Sequence, residues 1–374
     1  MRAIPNMALL ASALALASQI PALAMVPAKY KPDAVAPSTP DTVVRGYIAD
    51  DTRPIMHVKD GATVLVNTVS HGGLSDPVKT FGEAGIPAKD VLKDAIAIDQ
   101  ATKAGKWKND SGGFGGHVLT GPIYIDGAEP GDMLEVRILK VTPRTYYGTN
   151  SVGPGGVATG LLTKQQSKVI KFDVKRNVML LTPDVEPRMG PFMGIMAVAP
   201  PPATPKVGSR APGPFGGNMD FRRLTAGSTL YLPVFVKGAL FVTGDSHAGQ
   251  GDGEISGNAN ESSMAPLLQF IVHKGAGKAM HFPWAEDAQN YYVLGMDPDL
   301  GKAARSAAVE TIDWLHEKKG LSLEDAYHLC SVGVDFAIAQ AVDQNLIIYS
   351  AIPKAYFKKK EPYWAATAKA GTGG

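Results

Sequence analysis

The sequence predicts a strand-rich fold of the α+β kind, with few helices gathered mainly toward the C-terminus. Three observations carry that reading. Gly 41 and Pro 28 in 374 residues exceed ordinary usage and favour many turns over a helical bundle. Short apolar runs rich in Val, Ile, Leu, Phe and Tyr recur between those turns, and most are too short for helices. Amphipathic helical spacing is found mainly after Pro298.

Taken in order, residues 1–24 read as a targeting segment. Arg2 supplies its positive end, Met7 to Ala17 its apolar run, and Ala22-Leu23-Ala24 a small-x-small cleavage site. Cleavage there predicts a periplasmic or secreted protein with no membrane attachment, since no other stretch approaches ~20 apolar residues. An uncleaved N-terminal anchor is the competing reading. Residues 25–41 are an extended Pro- and Ala-rich lead-in, 42–360 a single catalytic domain, and 361–374 a disordered tail. One cysteine, Cys330, excludes an internal disulfide, so the core must supply the stability.

Strands are expected at 43–48, 55–59 and, after the Asp60-Gly61 turn, 62–68. SHGGLSD at 70–76 is a loop with a histidine between small residues, and 91–101 suits a short helix. A polar loop at 106–116 delivers His117 ahead of a strand at 121–125, and 133–141 alternates apolar and charged residues as a half-buried strand. Residues 144–166 read as an excursion over the surface or across a cleft; strand character returns at 169–181. The Pro- and Gly-dense stretch 183–214 is long for an irregular segment, which points to function or an interface. Further strands are expected at 266–273, 290–296 and 346–352. A helix over 298–319 places Leu300, Ala304, Ala308, Ile312 and Leu315 on one face and stops at Gly320. Ser322, with an acid three residues on, starts the next helix.

The chemistry concentrates at 213–261. Two clusters rich in glycine and polar side chains, GGNMD (216–220) and GDSHAGQGDGE (244–254), flank apolar runs at 229–236 and 239–243 split by Lys237-Gly238. The runs read as buried strands joined by a tight turn, and the clusters as loops aimed into one cleft. Asp245, His247, Asp252 and Glu254 fall within ten residues there. A net charge of +2, with 45% hydrophobic and 19% charged residues, describes a globular protein and gives no footprint for nucleic acid.

These motifs resemble the acetamidase/formamidase family. HVLTGPIYIDGAEPGDMLEVRIL (117–139), the central GGNMD-to-GDGE passage and LEDAYHLCSVGVDFAIAQAVD (323–343) all match its pattern. NTVSHGGLSD resembles the T-V-S-H loop of one branch, with Gly72 where that branch often carries an acid. The resemblance spans roughly residues 40–355. It implies β-rich α+β sheets of sandwich or barrel type, hydrolysis of short amides to acid and ammonia, a bound divalent metal and a homo-oligomer.

An amide is a weak electrophile with a poor leaving group, so a hydrolase must activate water, polarise the carbonyl and protonate the amine. His71, His117 and Asp245 are the metal-ligand candidates, each in a Gly-flanked setting; Zn²⁺ is the expected ion, with Ca²⁺ the alternative. For each, the competing role is a hydrogen bond to loop backbone. His247 and Glu254 are the proton-transfer candidates. Asn218, Asp220 and Gln250 are candidates for orienting substrate, against turn-capping roles. Asp252 suits a brace for His247 or the Gly-rich turn. Gly216, Gly217 and Gly249 could offer N–H groups to an oxyanion. Cys330, inside a helical apolar run with no local base, is rejected as a nucleophile. The expected reaction is hydrolysis of a formamide- or acetamide-like substrate. The alternatives are opening of a lactam in the same site, or an exported binding protein without turnover.

Overall fold

Two sheets of unequal size share one apolar core. The structure, a computed structural model, describes residues 31–107 and 116–365. The targeting segment 1–24 and most of the glycine-rich loop before His117 lie outside the described residues.

The larger sheet has nine strands in the order Ala34–Ala36, Thr63–Val66, Met264–His273, Met133–Pro143, Thr229–Pro233, Trp284–Glu286, Asn290–Asp297, Leu346–Pro353 and Asp335–Gln340. Every pairing in it is antiparallel except that of Ala34–Ala36 with Thr63–Val66. The smaller sheet runs Gly216–Asn218, Phe192–Ala197, Phe241–His247, Val118–Ile125 and Val43–Arg45, with Met56–Val58 beside the far half of Val118–Ile125. Leu134, Val136, Ile138 and Phe270 from one sheet and Leu119, Ile123, Ile125 and Phe241 from the other are buried in the same cluster. Phe241 and Phe270 meet across it at 4.9 Å.

The strand expected at 43–48 breaks at Gly46, whose φ of 79° turns the chain out of one ladder and into another. The runs at 229–236 and 239–243 do not form a hairpin. Thr229–Pro233 belongs to the larger sheet and Phe241–His247 to the smaller, and left-handed Ala239 and Leu240 make the crossing between them. The excursion at 144–166 is partly strand: Tyr147–Val152 pairs with Gln166–Asp173 in a separate three-stranded sheet. A seven-residue helix not foreseen in the loop reading, Pro77–Glu83, follows Asp76, whose side chain accepts from the Lys79 N–H, with Pro77 at the first position.

The C-terminal helices form at Leu300–Lys319 and Leu323–Gly333, capped by Asp299 and Ser322. Their starts were readable, but the buried face of the first is not the expected one. Ala303, Ala307, Thr311, Trp314 and Leu315 face inward, and Leu300 is exposed. The cause is Gly295 in the strand beneath, where an added Cβ would stand 2.0 Å from the Ala307 nitrogen. The helix backbone lies against the sheet, so small residues must face it. Part of the expected tail is also packed. The Tyr363 hydroxyl donates to the Gly227 carbonyl, and the Trp364 indole donates to Thr229.

Candidate active site

The strand Phe241–His247 is buried along its whole length, yet it ends in Asp245, Ser246 and His247. The polar cluster at 244–247 is therefore the end of a central strand, not the loop that the glycines suggest. Asp245 takes a φ of 50° within it, Asp220 one of 43° and Glu254 one of 44°. A left-handed conformation costs an L-residue roughly 1–2 kcal/mol, so the packing around these acids must hold them there.

Distant segments bring imidazoles to these acids. His71 follows the strand Thr63–Val66, in a loop held by the Ser70 N–H donating to Ser263 Oγ and the Gly72 N–H donating to Ser70 Oγ. Its Nδ1 lies 3.1 Å from Asp245 Oδ1 and 3.9 Å from Glu261 Oε2. His117 precedes the strand Val118–Ile125; its Nε2 is 3.9 Å from the same Asp245 oxygen, and its Nδ1 is 2.8 Å from Ser209 Oγ. The second oxygen of Asp245 faces His247 Nε2 at 3.5 Å, with Glu261 Oε2 3.3 Å from that nitrogen. Asp245 thus stands between two histidine environments, one open on the His71 side and one sealed.

The sealed half holds Asp220, His247 and Glu254, whose ligating atoms lie within 4.8 Å of one another. Gln250 orders it. Its Nε2 donates to the Asp220 carbonyl at 2.7 Å, which leaves Oε1 to accept from His247 Nδ1 at 3.1 Å. That contact places a proton on Nδ1 and leaves Nε2 facing Asp245 and Glu261. Asn218 donates to Asp343 at 2.8 Å, while its own Oδ1 is buried without a partner.

Burial dominates the electrostatics and the neighbours decide the sign. It pushes the His117 imidazole down to about 4, against Asp245, and so keeps the ring neutral. At His71 and His247 burial also pulls downward, but Asp245 and Glu261 outweigh it and hold both above the ordinary histidine range. Asp245 is buried too, yet His117 and His247 carry it well below the usual carboxylate range. Burial raises Asp220 and Glu254 well above that range, helped by the charge of Glu254 at Asp220 and by that of Glu261 at Glu254, and burial lifts Asp343 to about 6.

Does this cluster suit a metal? His71 Nδ1, Asp245 Oδ1, His247 Nε2 and Glu261 Oε2 are all buried without hydrogen-bond partners among the described residues. Buried polar atoms are rarely left so, and several oxygens and nitrogens orphaned together suit a cation. His117 adds a neutral Nε2 whose orientation is set by Ser209, as a ligand's outer partner would set it. The buried His, Asp and Glu groups could bind a metal.

The eight residues expected to ligate, transfer protons or orient substrate lie in these two adjoining halves: His71, His117 and Asp245 in one, and His247, Glu254, Asp220, Asn218 and Gln250 in or against the other. Two assignments change. Asp252 does not brace His247; it accepts from Arg223 and Tyr349, facing away from the cluster. Gly216 spends its N–H on the Gly213 carbonyl and has none for an oxyanion. Glu261, Asp343 and Ser209 were not singled out. Glu261 closes the polar run NANE; Asp343 ends the 323–343 passage and Ser209 lies in the 183–214 stretch, but neither has a titratable cluster beside it in sequence. Burial lifts the Cys330 thiol to about 11, which fits its rejection as a nucleophile.

A two-sheet α+β fold with a buried imidazole–carboxylate cluster at the end of a central strand is the class that these features define. The defining pattern of the Acetamidase/Formamidase family matches residues 113–210 and 206–359. The chain belongs to that family. An acetamidase of Mycolicibacterium smegmatis is 27% identical, over 37% of this chain and 49% of that protein. A formamidase of Methylophilus methylotrophus is 28% identical, over 37% of this chain and 47% of that protein. The chain thus spans about half the length of the curated relatives it matches. The crystal structure of an acetamidase from Yersinia enterocolitica shares the fold, with a TM-score of 0.72 at 24% identity, over 88% of this chain and 94% of that one.

Proposed function

We propose that the protein is a metal-dependent amidohydrolase that splits a short linear amide, of the formamide or acetamide type, into a carboxylate and ammonia. The observation that carries this reading is the division of labour around Asp245, with candidate ligands on one oxygen and a sealed acid–base group on the other. The acetamidase and formamidase names of the relatives favour linear amides as substrates.

His71, His117 and Asp245 would hold the ion, with Glu261 beside them. Imidazole nitrogens in the set favour Zn²⁺ over Ca²⁺, which takes oxygen ligands. A bound divalent cation would supply Lewis-acid polarisation of the carbonyl and a lowered water pKa. Glu254, in its ionised form, accepts a proton from the attacking water and returns it to the departing nitrogen. Its raised affinity for protons suits both tasks. His247, locked by Gln250, steadies the charge on Glu254 as it takes up and gives back that proton. Asn218 Oδ1, buried and unpartnered, is free to accept an N–H of the substrate amide. We place the protein outside the cytoplasm on the strength of residues 1–24, and as a homo-oligomer on the strength of its family.

The test is ammonia release from formamide and acetamide before and after exhaustive chelation, with zinc added back, and ring opening of a lactam followed separately. Turnover of linear amides that disappears on chelation and returns with zinc is the expected result. Full activity in metal-free protein would sink the metal assignment. Ring opening alone would move the substrate to cyclic amides, and no turnover of either by loaded protein would leave a binding protein.

A further inference from the structure

A cavity of about 320 Å³ lies behind Gln250, on the side of His247 away from His71. It is large enough for a small organic ligand. Three guanidinium groups line it, Arg188, Arg222 and Arg223, against one lining carboxylate, Asp287.

The acids nearby are already occupied. Asp287 accepts from the Tyr292 hydroxyl at 2.7 Å and from the N–H groups of Gln289 and Asn290 at 2.7 and 2.8 Å. Asp252 accepts from Arg223 at 3.0 Å and from the Tyr349 hydroxyl at 3.1 Å. Arg223 is thereby fixed, because it also donates to Tyr349. The other two arginines keep their donors. Arg222 comes no nearer than 3.9 Å to Asp252, and the Arg188 guanidinium has no partner among the described residues. The wall therefore offers two guanidiniums that make no side-chain hydrogen bond among the described residues, with only the long ion pair of Arg222 to Asp252 competing. Guanidinium forks match the paired oxygens of carboxylates and phosphates.

We propose that this cavity is a binding site for a small oxyanion, separate from the histidine–carboxylate cluster and divided from it by Gln250. Two sources share that chemistry. One is the carboxylate product of the proposed hydrolysis, which rests on that reading. The other is inorganic phosphate, which does not.

The test is calorimetric titration of the protein with acetate, phosphate and chloride at constant ionic strength, repeated after chelation and on Arg188→Gln, Arg222→Gln and the double variant. Acetate or phosphate should bind more tightly than chloride. Each single variant should weaken that binding about tenfold, the worth of one charge-assisted hydrogen bond, with the unfolding temperature unchanged. Chelation should leave it intact. Acetate ahead of phosphate assigns the product carboxylate, and the reverse assigns inorganic phosphate. Three results overturn the proposal: no oxyanion ahead of chloride, undiminished binding in the double variant, or binding lost with the metal, which would put the anion on the cluster. Failure of the amidase reading shows separately, as absent ammonia release, and leaves these affinities untouched.

Discussion

Gly194 stands across the ladder from Asp245, between the paired Met193–Ser246 and Ile195–Gly244, and two carboxylates fill the space that a side chain there would need. An added Cβ would lie 2.4 Å from Asp220 Oδ1 and 2.8 Å from both the carbonyl and Oδ2 of Asp245. The carbonyl belongs to a central strand and cannot step aside. Gly194→Ala should therefore push Asp220 and Asp245 apart. Overpacking of this kind costs about 1–3 kcal/mol in stability, and a misplacement of about 1 Å costs about 100-fold in activity. Metal content and kcat/KM, measured together with thermal unfolding, check this. A folded variant with full metal and full activity would show that the pair tolerates the displacement.

Glu254 carries the proton in the proposed reaction while the ions' candidate ligands lie on the far side of Asp245. Glu254→Gln should therefore separate chemistry from binding. General acid–base groups contribute about 10²- to 10⁴-fold, and a loss of that size is expected in kcat/KM. Zinc content should stay at the wild-type level. If zinc is lost as well, Glu254 belongs among the ligands and the division between the halves is wrong.

Much of this site was legible because its acids and histidines sit beside glycines in short polar runs, where hydrophobic patterning stops. What stayed hidden has physical reasons. Asp245 and His247 lie inside a strand, and a buried strand holding an acid and a histidine breaks the apolar pattern by which strands are read. Ser209 and Asp343 enter from segments whose local sequence shows no chemistry; only the fold brings them in. The first long helix was readable in extent and not in phase. Leu300 looks like an inward residue by hydrophobicity, but close approach at Gly295 selects the Ala303–Ala307 side. The two strands around Lys237-Gly238 were readable singly, while their assignment to different sheets depends on partners far along the chain.

Asp343 makes the stability of the metal-free protein depend on pH. Burial lifts its carboxyl from 3.8 to about 6. Between those values the folded chain holds a proton that the unfolded chain has released, so stability falls as pH rises through that window and stays lower above it. Asp343→Asn removes this cost, worth up to about 3 kcal/mol above pH 6. Asp220 and Glu254 shift in the same direction, so part of the slope should survive in the variant. Denaturant unfolding of chelated protein at pH 4, 6 and 8 provides the comparison. Equal slopes for wild type and variant would mean that Asp343 is already ionised in the fold at the low end.

Gly72 raises the question of whether a glycine in that loop has cost the protein its activity. The packing argues otherwise, because position 72 has no room for any side chain. A Cβ there would stand 2.3 Å from Thr149 Oγ1 and 2.6 Å from Glu261 Cβ. Thr149 and Glu261 are tied to each other through both backbone N–H groups, at 2.8 and 2.7 Å, so neither can retreat alone. Besides Asp245, the carboxylate near His71 is that of Glu261. Gly72→Ala should displace Glu261 and weaken zinc binding, and Glu261→Gln should weaken it by removing the charge. If both act through the one carboxylate, the double variant should be little worse than Glu261→Gln alone, a coupling of about 0.5–3 kcal/mol. Zinc affinities of the four proteins, measured by competition with a chelator, close the cycle. Additive losses would mean that the glycine and the glutamate act independently, and the steric account of Gly72 would fail.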